Sequence, residues 1–506
     1  MESNEYSYKW LSLIGLSLLA FTAFLDFTIV STAMPFIQAS FNASVLQLQW
    51  VSSIFAMVLA MFMICAGKLG DMYDRRVIFY AGFVFFGVAA VGAALSSTIQ
   101  WLIAFRALQG LGGAVIFTQS AALLPQAFPP NEQARAVSIY SSITGFGLAI
   151  GPLLGGIIIT GLGWRYIFWI NIPIIVVGLL CCAFTLRPQA PQTKQPRFDG
   201  LGLIFLIIAI GATIYGLILG EQIGWDSRRT DIYLAVGVLA IISLLVQERR
   251  HPEPLLDLNT FCNPYALLAI FTCVCAGILT NVFLFFDPLY FKIIRHYDAG
   301  MIGLILMAMP ICQVLVALLF PSLIKNIHLT HLMIIGIAFS ILGAFLNSWF
   351  NFSFPLWVII ITLGCMGATW GIANTSSISI INSHFTERES GTILGTIFTC
   401  WNIAGAAFLA ISTVVFNQFQ TGHLTHYLKQ NPGDLSVSDQ GHLMKALKDP
   451  DHAASHLHNS SSSLHHLYGI FQEGFTYAMR NMSWIMTVLL IIILIAGLIQ
   501  VKRVSD

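Results

Sequence analysis

Long apolar segments separated by short polar links recur along the whole chain. A helix that crosses a membrane needs about 20 consecutive apolar residues. Fourteen segments approach that length, at residues 10–34, 48–67, 77–95, 102–128, 137–161, 167–186, 201–220, 232–246, 265–291, 301–324, 332–350, 354–381, 393–416 and 482–501. The eighth is the shortest. The pattern predicts an all-α integral membrane protein with fourteen spans.

Two polar, proline-bearing linkers divide this array into groups of six, two and six spans. Residues 187–200 follow the sixth span, and residues 247–264 follow the eighth. We therefore predict an N-terminal six-helix bundle (1–187), linkers with an inserted transmembrane hairpin (188–260), and a C-terminal six-helix bundle (261–506).

The longest polar segment, residues 417–480, separates the last two spans and holds eight of the 13 histidines. We predict a loop that carries short amphipathic helices lying against the membrane. His452, His456 and His458 have a spacing at which imidazoles on a helix can share zinc. Neither a cysteine nor a well-spaced acid accompanies them, so we expect no metal site.

Composition supports a membrane protein and excludes other classes. The chain is 57% hydrophobic and 9% charged, whereas soluble domains carry about 25% charged residues. A net charge of +1 leaves no basic face for nucleic acid. Most of the nine cysteines lie in apolar segments and predict no disulfide framework. We expect no cofactor.

The distribution of Lys and Arg predicts the topology. With both termini in the cytoplasm, most basic side chains between spans fall inside, and only a few fall on short outer loops, namely Arg165, Arg228, Arg229, Lys292 and Arg295. This arrangement satisfies the positive-inside rule. We therefore expect a multi-pass protein of the plasma (inner) membrane.

The fifth span contains a glycine-rich string, GFGLAIGPLLGG, at residues 145–156. Glycines four residues apart line one helix face, along which another helix can approach closely. A proline within the string should bend the helix. The string predicts either simple tight packing or a seam that packs and slides, and its residues of interest are Gly145, Gly147, Gly151, Pro152, Gly155 and Gly156.

Two charged residues lie inside the N-terminal spans. Asp26 is in the middle of the first span, where a carboxylate must face water, bind a partner or take up a proton. Arg106 is near the start of the fourth span and keeps its charge, so it must be paired or solvated. Arg106 could act on the proton affinity of Asp26, or it could tie the fourth helix to backbone carbonyls of the first.

Asp287 is near the outer end of the ninth span, beside Pro288. We expect Pro288 to break the helix there. Asp287 is then either a second acidic site of the C-terminal bundle or, as we favour, a helix-end residue that reaches interfacial water.

The link between the second and third spans reads GKLGDMYDRR, at residues 67–76. Asp71 can lie at a helix N-terminus, where the dipole favours an anion. Arg75 and Arg76 can pair with carboxylates of the facing bundle. Together with Gly67 they predict a cytoplasmic gate, while a basic link that serves topology alone is the simpler explanation.

In their order, these motifs resemble those of the drug:proton antiporters of the major facilitator superfamily, specifically the fourteen-span EmrB/QacA-type class. The matching segments are LDFTIVSTAMP (25–35), GKLGDMYDRR (67–76), LIAFRALQGLGGA (102–114), GFGLAIGPLLGG (145–156) and WRYIFWINIP (164–173). The resemblance implies the major facilitator fold, with two six-helix bundles plus the hairpin.

The resemblance also implies roles for individual residues. Asp26 is implied in proton or cation coupling, Arg106 in proton exchange, and the fifth-span glycines and proline in the helix seam. Met72 and Asp74 depart from the usual gate motif and could weaken the gate. Residues 400–402 replace a stretch that often carries Arg, so the coupling of the C-terminal bundle need not follow the family.

We therefore expect a proton-coupled multidrug efflux transporter that exports hydrophobic, preferably cationic, compounds by alternating access. Its partners would be the small-molecule substrate, protons and membrane lipids, with a periplasmic adaptor protein as a further candidate, and we expect a monomer. The alternative on the same fold is a transporter of one defined metabolite or siderophore. An enzyme or a receptor fits less well, because no nucleophile–base pair or metal cluster is recognisable.

Overall fold

The structure is a computed structural model, and it describes residues 8–43, 45–186, 199–252, 254–255, 258–297, 299–430 and 462–505. The described residues form sixteen α-helices. They are α1 (Lys9–Phe41), α2 (Val45–Met72), α3 (Arg75–Ala94), α4 (Ile99–Leu123), α5 (Gln133–Leu162), α6 (Tyr166–Trp169), α7 (Asn171–Ala183), α8 (Gly200–Ile223), α9 (Arg228–Arg250), α10 (Pro264–Ile293), α11 (Ala299–Leu306), α12 (Ala308–Asn326), α13 (Leu329–Asn347), α14 (Leu356–His384), α15 (Glu387–Gln430) and α16 (Ser462–Ser505).

These helices give the predicted number of membrane spans. Thirteen described segments are long and apolar enough to cross a membrane, and the bent helix α5 brings the number to 14. Helices α6 and α7 together form one span, and α11 and α12 form another. The prediction of an all-α, multi-pass membrane protein is confirmed.

Helix α5 bends at the proline of its glycine-rich string. The axes of Gln133–Gly151 and Leu153–Leu162 differ by 48°. A proline ring crowds the carbonyl one turn earlier and donates no hydrogen bond, so a bend is expected there. The predicted bend at Pro152 is therefore confirmed.

The short eighth span is longer than its apolar segment indicated, because α9 runs over Arg228–Arg250. It pairs with α8, and α8 in turn packs on α2 through a shared apolar cluster that includes Met61, Leu206 and Ile210. The α8–α9 hairpin thus packs against α2 through α8.

Two predictions about the C-terminal half are wrong. Helix α10 continues through Pro288 to Ile293 instead of breaking, because membrane helices tolerate a proline when neighbouring helices surround the freed carbonyl. The segment 417–480, predicted as a loop with short amphipathic helices, instead continues the helices of the neighbouring spans at both of its ends. Helix α15 extends to Gln430, and α16 already begins at Ser462. His452, His456 and His458 lie outside the described residues.

The early part of α16 is packed rather than loose. Phe471 and Phe475 are fully buried. Tyr468 Oη and Gln472 Nε2 both donate to the backbone carbonyl of Ile293 at the end of α10, at 2.8 and 2.7 Å. An apolar stripe on this polar-looking segment therefore extends the C-terminal bundle beyond the apolar spans.

Candidate functional site

Asp26 on α1 is the centre of a buried polar cluster in the N-terminal bundle. Its side chain is 0% exposed and forms an ion pair with Arg106 on α4. Its Oδ1 also accepts from Nδ2 of Asn171 on α7 at 3.0 Å and from Nε2 of Gln109 at 3.4 Å. We call these four residues the Asp26 cluster. Because the charges are buried together, removing one leaves the other uncompensated.

Arg106 joins three helices. Besides Asp26, its Nε donates to the carbonyl of Val51 on α2 at 3.2 Å, and its guanidinium lies 4.4 Å from the ring centre of Phe55. Both sequence interpretations contain part of this arrangement. The pair with Asp26 forms, and Arg106 does bind a backbone carbonyl, but that carbonyl belongs to the second helix rather than the first.

Sequence reasoning missed Gln109 and Asn171. A signal existed for Gln109, since it follows Arg106 by three residues and so lies on the same helix face. Asn171 is the one polar side chain within its INIP string, and it begins α7. Its amide reaches Asp26 across 145 positions of sequence, and no local pattern indicates such a distance.

The glycines of α5 pack against α1 within the same bundle. Added Cβ atoms would lie 2.9 Å from Phe21 at Gly147, 2.0 Å from Thr28 Oγ1 at Gly151 and 2.2 Å from Thr32 Oγ1 at Gly155. Thr28 Oγ1 also donates to the carbonyl of Leu148 at 3.0 Å. The glycine face is thus a tight α1–α5 contact.

The two ends of the glycine string face elsewhere. A Cβ at Gly145 would meet the side chain of Gln313 on α12 at 2.7 Å, so this glycine contacts the C-terminal bundle. A Cβ at Gly156 would have nothing within 4 Å. Ser142 Oγ donates to the carbonyl of Val314 at 3.5 Å, one turn before Gly145. Helix α5 therefore contacts α1 and α12 with different parts of its length.

The predicted gate residues form a contact between the bundles. The carboxylate of Asp71, near the end of α2, accepts from the backbone N–H groups of Thr392 at 2.6 Å and Gly391 at 3.2 Å, both in the second turn of α15. Arg75 pairs with Asp71 and donates to Ser390 Oγ at 3.3 Å. Backbone amides of the facing bundle thus bind the acid directly.

Gly67 allows this approach, and Arg76 takes a different position. A Cβ at Gly67 would lie 2.3 Å from the carbonyl oxygen of Gly391. Arg76 pairs with Asp74 at 3.1 Å and donates to the carbonyl of Leu186 at 3.1 Å. Asp74 also caps α3. The prediction that Arg76 binds the facing bundle is wrong, because Asp74 holds it within its own bundle.

Asp287 on α10 is fully buried, so the interpretation that it reaches interfacial water is wrong. Its Oδ1 accepts from Nδ2 of Asn347 on α13 at 2.8 Å, and Asn347 Oδ1 accepts from Ser483 Oγ on α16 at 3.0 Å. Its Oδ2 has no hydrogen-bond partner among the described residues. A buried acid is costly in hydrocarbon, so its few polar contacts mark it as a functional candidate.

A narrow cavity of about 20 Å³ lies where the two bundles meet. Its lining is mainly aromatic, with Asn374 as its polar amide, and consists of Phe24, Phe117, Cys273, Ala276, Trp370, Ala373, Asn374, Phe398 and Trp401. The rings of Trp370 and Trp401 are 5.3 Å apart in an edge-to-face arrangement. A cargo molecule would need the bundles to separate before it could fit.

The sequence profile of the Major Facilitator Superfamily matches residues 16–409. The chain belongs to this superfamily. Members of the superfamily are transporters rather than enzymes, and they bind small-molecule substrates within the membrane. A solved proton:xylose symporter, XylE, has the same fold, with a TM-score of 0.59, 14% identity and 95% coverage of both chains.

Two curated relatives within the superfamily differ in what their names state. The chain is 32% identical to the multidrug resistance protein Stp of Mycobacterium tuberculosis over 66% of its own length and 62% of Stp, so the match spans less than two thirds of that relative. It is 26% identical to the riboflavin transporter RibZ of Clostridioides difficile over 83% of its own length and 92% of RibZ.

Proposed function

We propose that this superfamily member exports hydrophobic organic compounds in exchange for protons, by alternating access. The observation that carries the proposal is the buried Asp26 cluster. A proton that reaches Asp26 neutralises the acid and leaves Arg106 without its counter-ion. Arg106 must then find another partner, and this need makes the cluster a two-state element that a proton can bias.

The position of the cluster supports its coupling to transport. Asp26 lies on α1 two residues before Thr28, and the side chain of Thr28 packs against Gly151 of α5. Helix α5 in turn contacts α12 of the C-terminal bundle through Ser142. A change in α1 therefore has a continuous packed route to the contact between the bundles.

The central cavity supports a hydrophobic cargo. Its aromatic walls offer large apolar contact area and can stack on flat molecules. We propose lipophilic cations as the first class to test, because a cation and a proton would compete for the carboxylate of Asp26. Asp26 is not part of the cavity lining in this conformation, so a cargo cation would reach it after the bundles separate. The name of the relative Stp agrees with a multidrug cargo.

We further propose that Asp287 is a second proton-binding acid, in the C-terminal bundle. Its buried carboxyl group accepts from Asn347 alone among the described residues. It would carry a proton in this conformation and release it when water or a cation reaches the site.

The orientation remains the one that the basic residues predict. We propose that the protein lies in the plasma (inner) membrane with both termini on the cytoplasmic side. The gate formed by Gly67, Asp71, Arg75 and Arg76 would lie on that side too. We also propose that the monomer is the working unit. The structure then has its cytoplasmic gate closed. We also propose the division into an N-terminal bundle (1–187), a linker and hairpin region (188–260) and a C-terminal bundle (261–506). A periplasmic adaptor protein is a further candidate partner.

The test is proton movement in energised inverted membrane vesicles that contain wild type, Asp26→Asn or the control Asp231→Asn. Asp231 is exposed at the start of α9. We expect several lipophilic cations to dissipate the proton gradient with wild type and the control, and none with Asp26→Asn. Coupling by Asp26→Asn would remove Asp26 from the mechanism.

The second candidate is a transporter of one defined metabolite or siderophore, which the name of RibZ favours. In the same vesicles, no lipophilic cation would then dissipate the proton gradient with wild type, whereas riboflavin or a single siderophore would. That result would replace the multidrug proposal with this one.

A further inference from the structure

A cavity of about 770 Å³ lies at the end of the C-terminal bundle opposite the gate. Its walls are the connection between α13 and α14 and the extended parts of α15 and α16, which the sequence had indicated as loop. Aromatic and charged side chains line it together, including Trp349, Tyr477, Trp484, Glu473 and Arg480. The cavity belongs to one bundle and shares no lining residue with the central cavity.

The cavity is at a membrane surface. From Trp484 toward its C-terminus, α16 presents exposed aliphatic side chains, among them Ile485 (42% exposed), Val488 (54%) and Ile492 (58%). On the other side of Trp484, the cavity lining is polar and includes Arg480. Tryptophan is enriched where hydrocarbon meets headgroups. The switch from aliphatic to polar at Trp484 therefore marks the boundary.

Two opposite charges are placed at different heights above that boundary. Arg480 is one turn from Trp484, and Glu473 is two turns further, roughly 10 Å along the same helix face. The guanidinium of Arg480 lies 5.7 Å from the ring centre of Tyr477. Neither charge takes part in an ion pair within the part of the chain that the structure describes. Both are exposed toward the cavity.

We propose that this cavity binds the headgroup of a zwitterionic aminophospholipid, of the phosphatidylethanolamine type. In such a lipid the phosphate lies next to the acyl chains and the ammonium lies beyond it. Arg480, near the boundary, matches the phosphate, and Glu473, further out, matches the ammonium. The acyl chains would follow the exposed aliphatic face of α16 below Trp484.

The wall that carries both charges is fixed. Tyr468 and Gln472 bind the end of α10, directly before Glu473. Phe345 of α13 packs edge-to-face on Trp484 at 5.4 Å, which joins the two helices at the boundary. The spacing between Arg480 and Glu473 is therefore built into the fold, and a preformed site binds with less loss of entropy.

The test compares lipid retention by the full-length protein in detergent, measured by native mass spectrometry. The probes are phosphatidylethanolamine, phosphatidylcholine and phosphatidylglycerol with identical acyl chains. The variants are Arg480→Gln and Glu473→Gln. Arg503→Gln, at the opposite end of α16, and Asp231→Asn, on α9, are matched controls because both residues are exposed. Thermal melting confirms that each variant is folded.

We expect wild type and both controls to retain phosphatidylethanolamine over the other two lipids. Arg480→Gln should lower the retention of all three lipids roughly tenfold, since each loses its phosphate partner. Glu473→Gln should lower only phosphatidylethanolamine, to the level of phosphatidylcholine, whose ammonium donates no hydrogen bond. The proposal fails if wild type prefers phosphatidylglycerol, or if a folded Glu473→Gln variant keeps the preference of wild type.

Discussion

Replacing Gly67 by alanine should open the gate. A Cβ there would lie 2.3 Å from the carbonyl oxygen of Gly391, 2.7 Å from its carbonyl carbon and 3.0 Å from Cα of Thr392. All three are backbone atoms of the facing bundle, so no side-chain rotation removes the overlap. Ordinary contact begins at 3.4 Å, so the backbones must separate by 3.4 − 2.3 = 1.1 Å.

That separation also weakens the bonds to Asp71. Its 3.2 Å bond from the Gly391 amide would exceed the limit for a hydrogen bond. A hydrogen bond to a charged group contributes about 1.5–3 kcal/mol. Losing one or two of them costs the closed state about 3 kcal/mol, while the open state, in which these backbones no longer touch, is unaffected. The open-to-closed ratio should therefore rise about a hundredfold.

The measurement is the distance distribution between spin labels at positions 73 and 383, obtained by double electron–electron resonance. Tyr73 and Ser383 are exposed on the two sides of the gate. We expect a longer distance to become dominant in Gly67→Ala. Gly156→Ala is the matched control, because its added Cβ has nothing within 4 Å. The reasoning is refuted if Gly67→Ala and Gly156→Ala give the same distribution as wild type.

Two further substitutions test the bundles separately. Gly151→Ala should lower the melting temperature, at a cost of about 2 kcal/mol from overpacking against Thr28. Its effect should shrink in a Thr28→Ala background, and equal effects in both backgrounds would contradict the proposed contact. Asp287→Asn should leave the melting temperature nearly unchanged, since the amide keeps the bond from Asn347 and replaces a neutral acid. A large loss of stability would indicate that Asp287 is ionised.

The spans and the bend could be predicted from sequence because their causes are local. A helix that crosses the hydrocarbon layer needs about 20 apolar residues, whatever the sequence of the rest of the chain. A proline disturbs the hydrogen bonding of its own helix turn. The bend at Pro152 follows from that residue alone. The failure at Pro288 shows the limit, since whether a proline breaks a helix or only disturbs it depends on the helices packed around it.

Short helices were predicted in segment 417–480, but their continuity with the spans of α15 and α16 could not be predicted, for a related reason. Outside the membrane a helix needs only a narrow apolar stripe, and the stripe containing Phe471 and Phe475 is surrounded by polar residues that resemble a loop. What fixes the extension is its contact with the end of α10, through Tyr468 and Gln472. That contact joins positions 175 and 179 residues apart, so no sequence window contains it.

In the candidate site too, single charged residues could be predicted from the sequence, whereas their partners could not. Asp26, Arg106 and Asp71 were recognisable because a charge within or beside a span is costly and demands an explanation. Their neutral partners carry no such cost, so nothing marked Asn171 or the amides of α15 beforehand. The sequence thus indicates where a charge must be satisfied, and the fold decides which neutral groups satisfy it.

The two buried acids differ in what surrounds them, and this difference argues for different tasks. Asp26 has a cation and two amide donors, so taking up a proton would break an existing ion pair. Asp287 has one amide donor and no ion pair within the described residues. A proton on Asp26 would therefore cost an ion pair, whereas a proton on Asp287 would cost none among the described residues. An exchanger built in this way would load Asp26 and unload Asp287 at different points of its cycle. Asp26→Asn should then abolish proton movement, as in the vesicle assay, whereas Asp287→Asn should only lower the number of protons moved per cargo molecule.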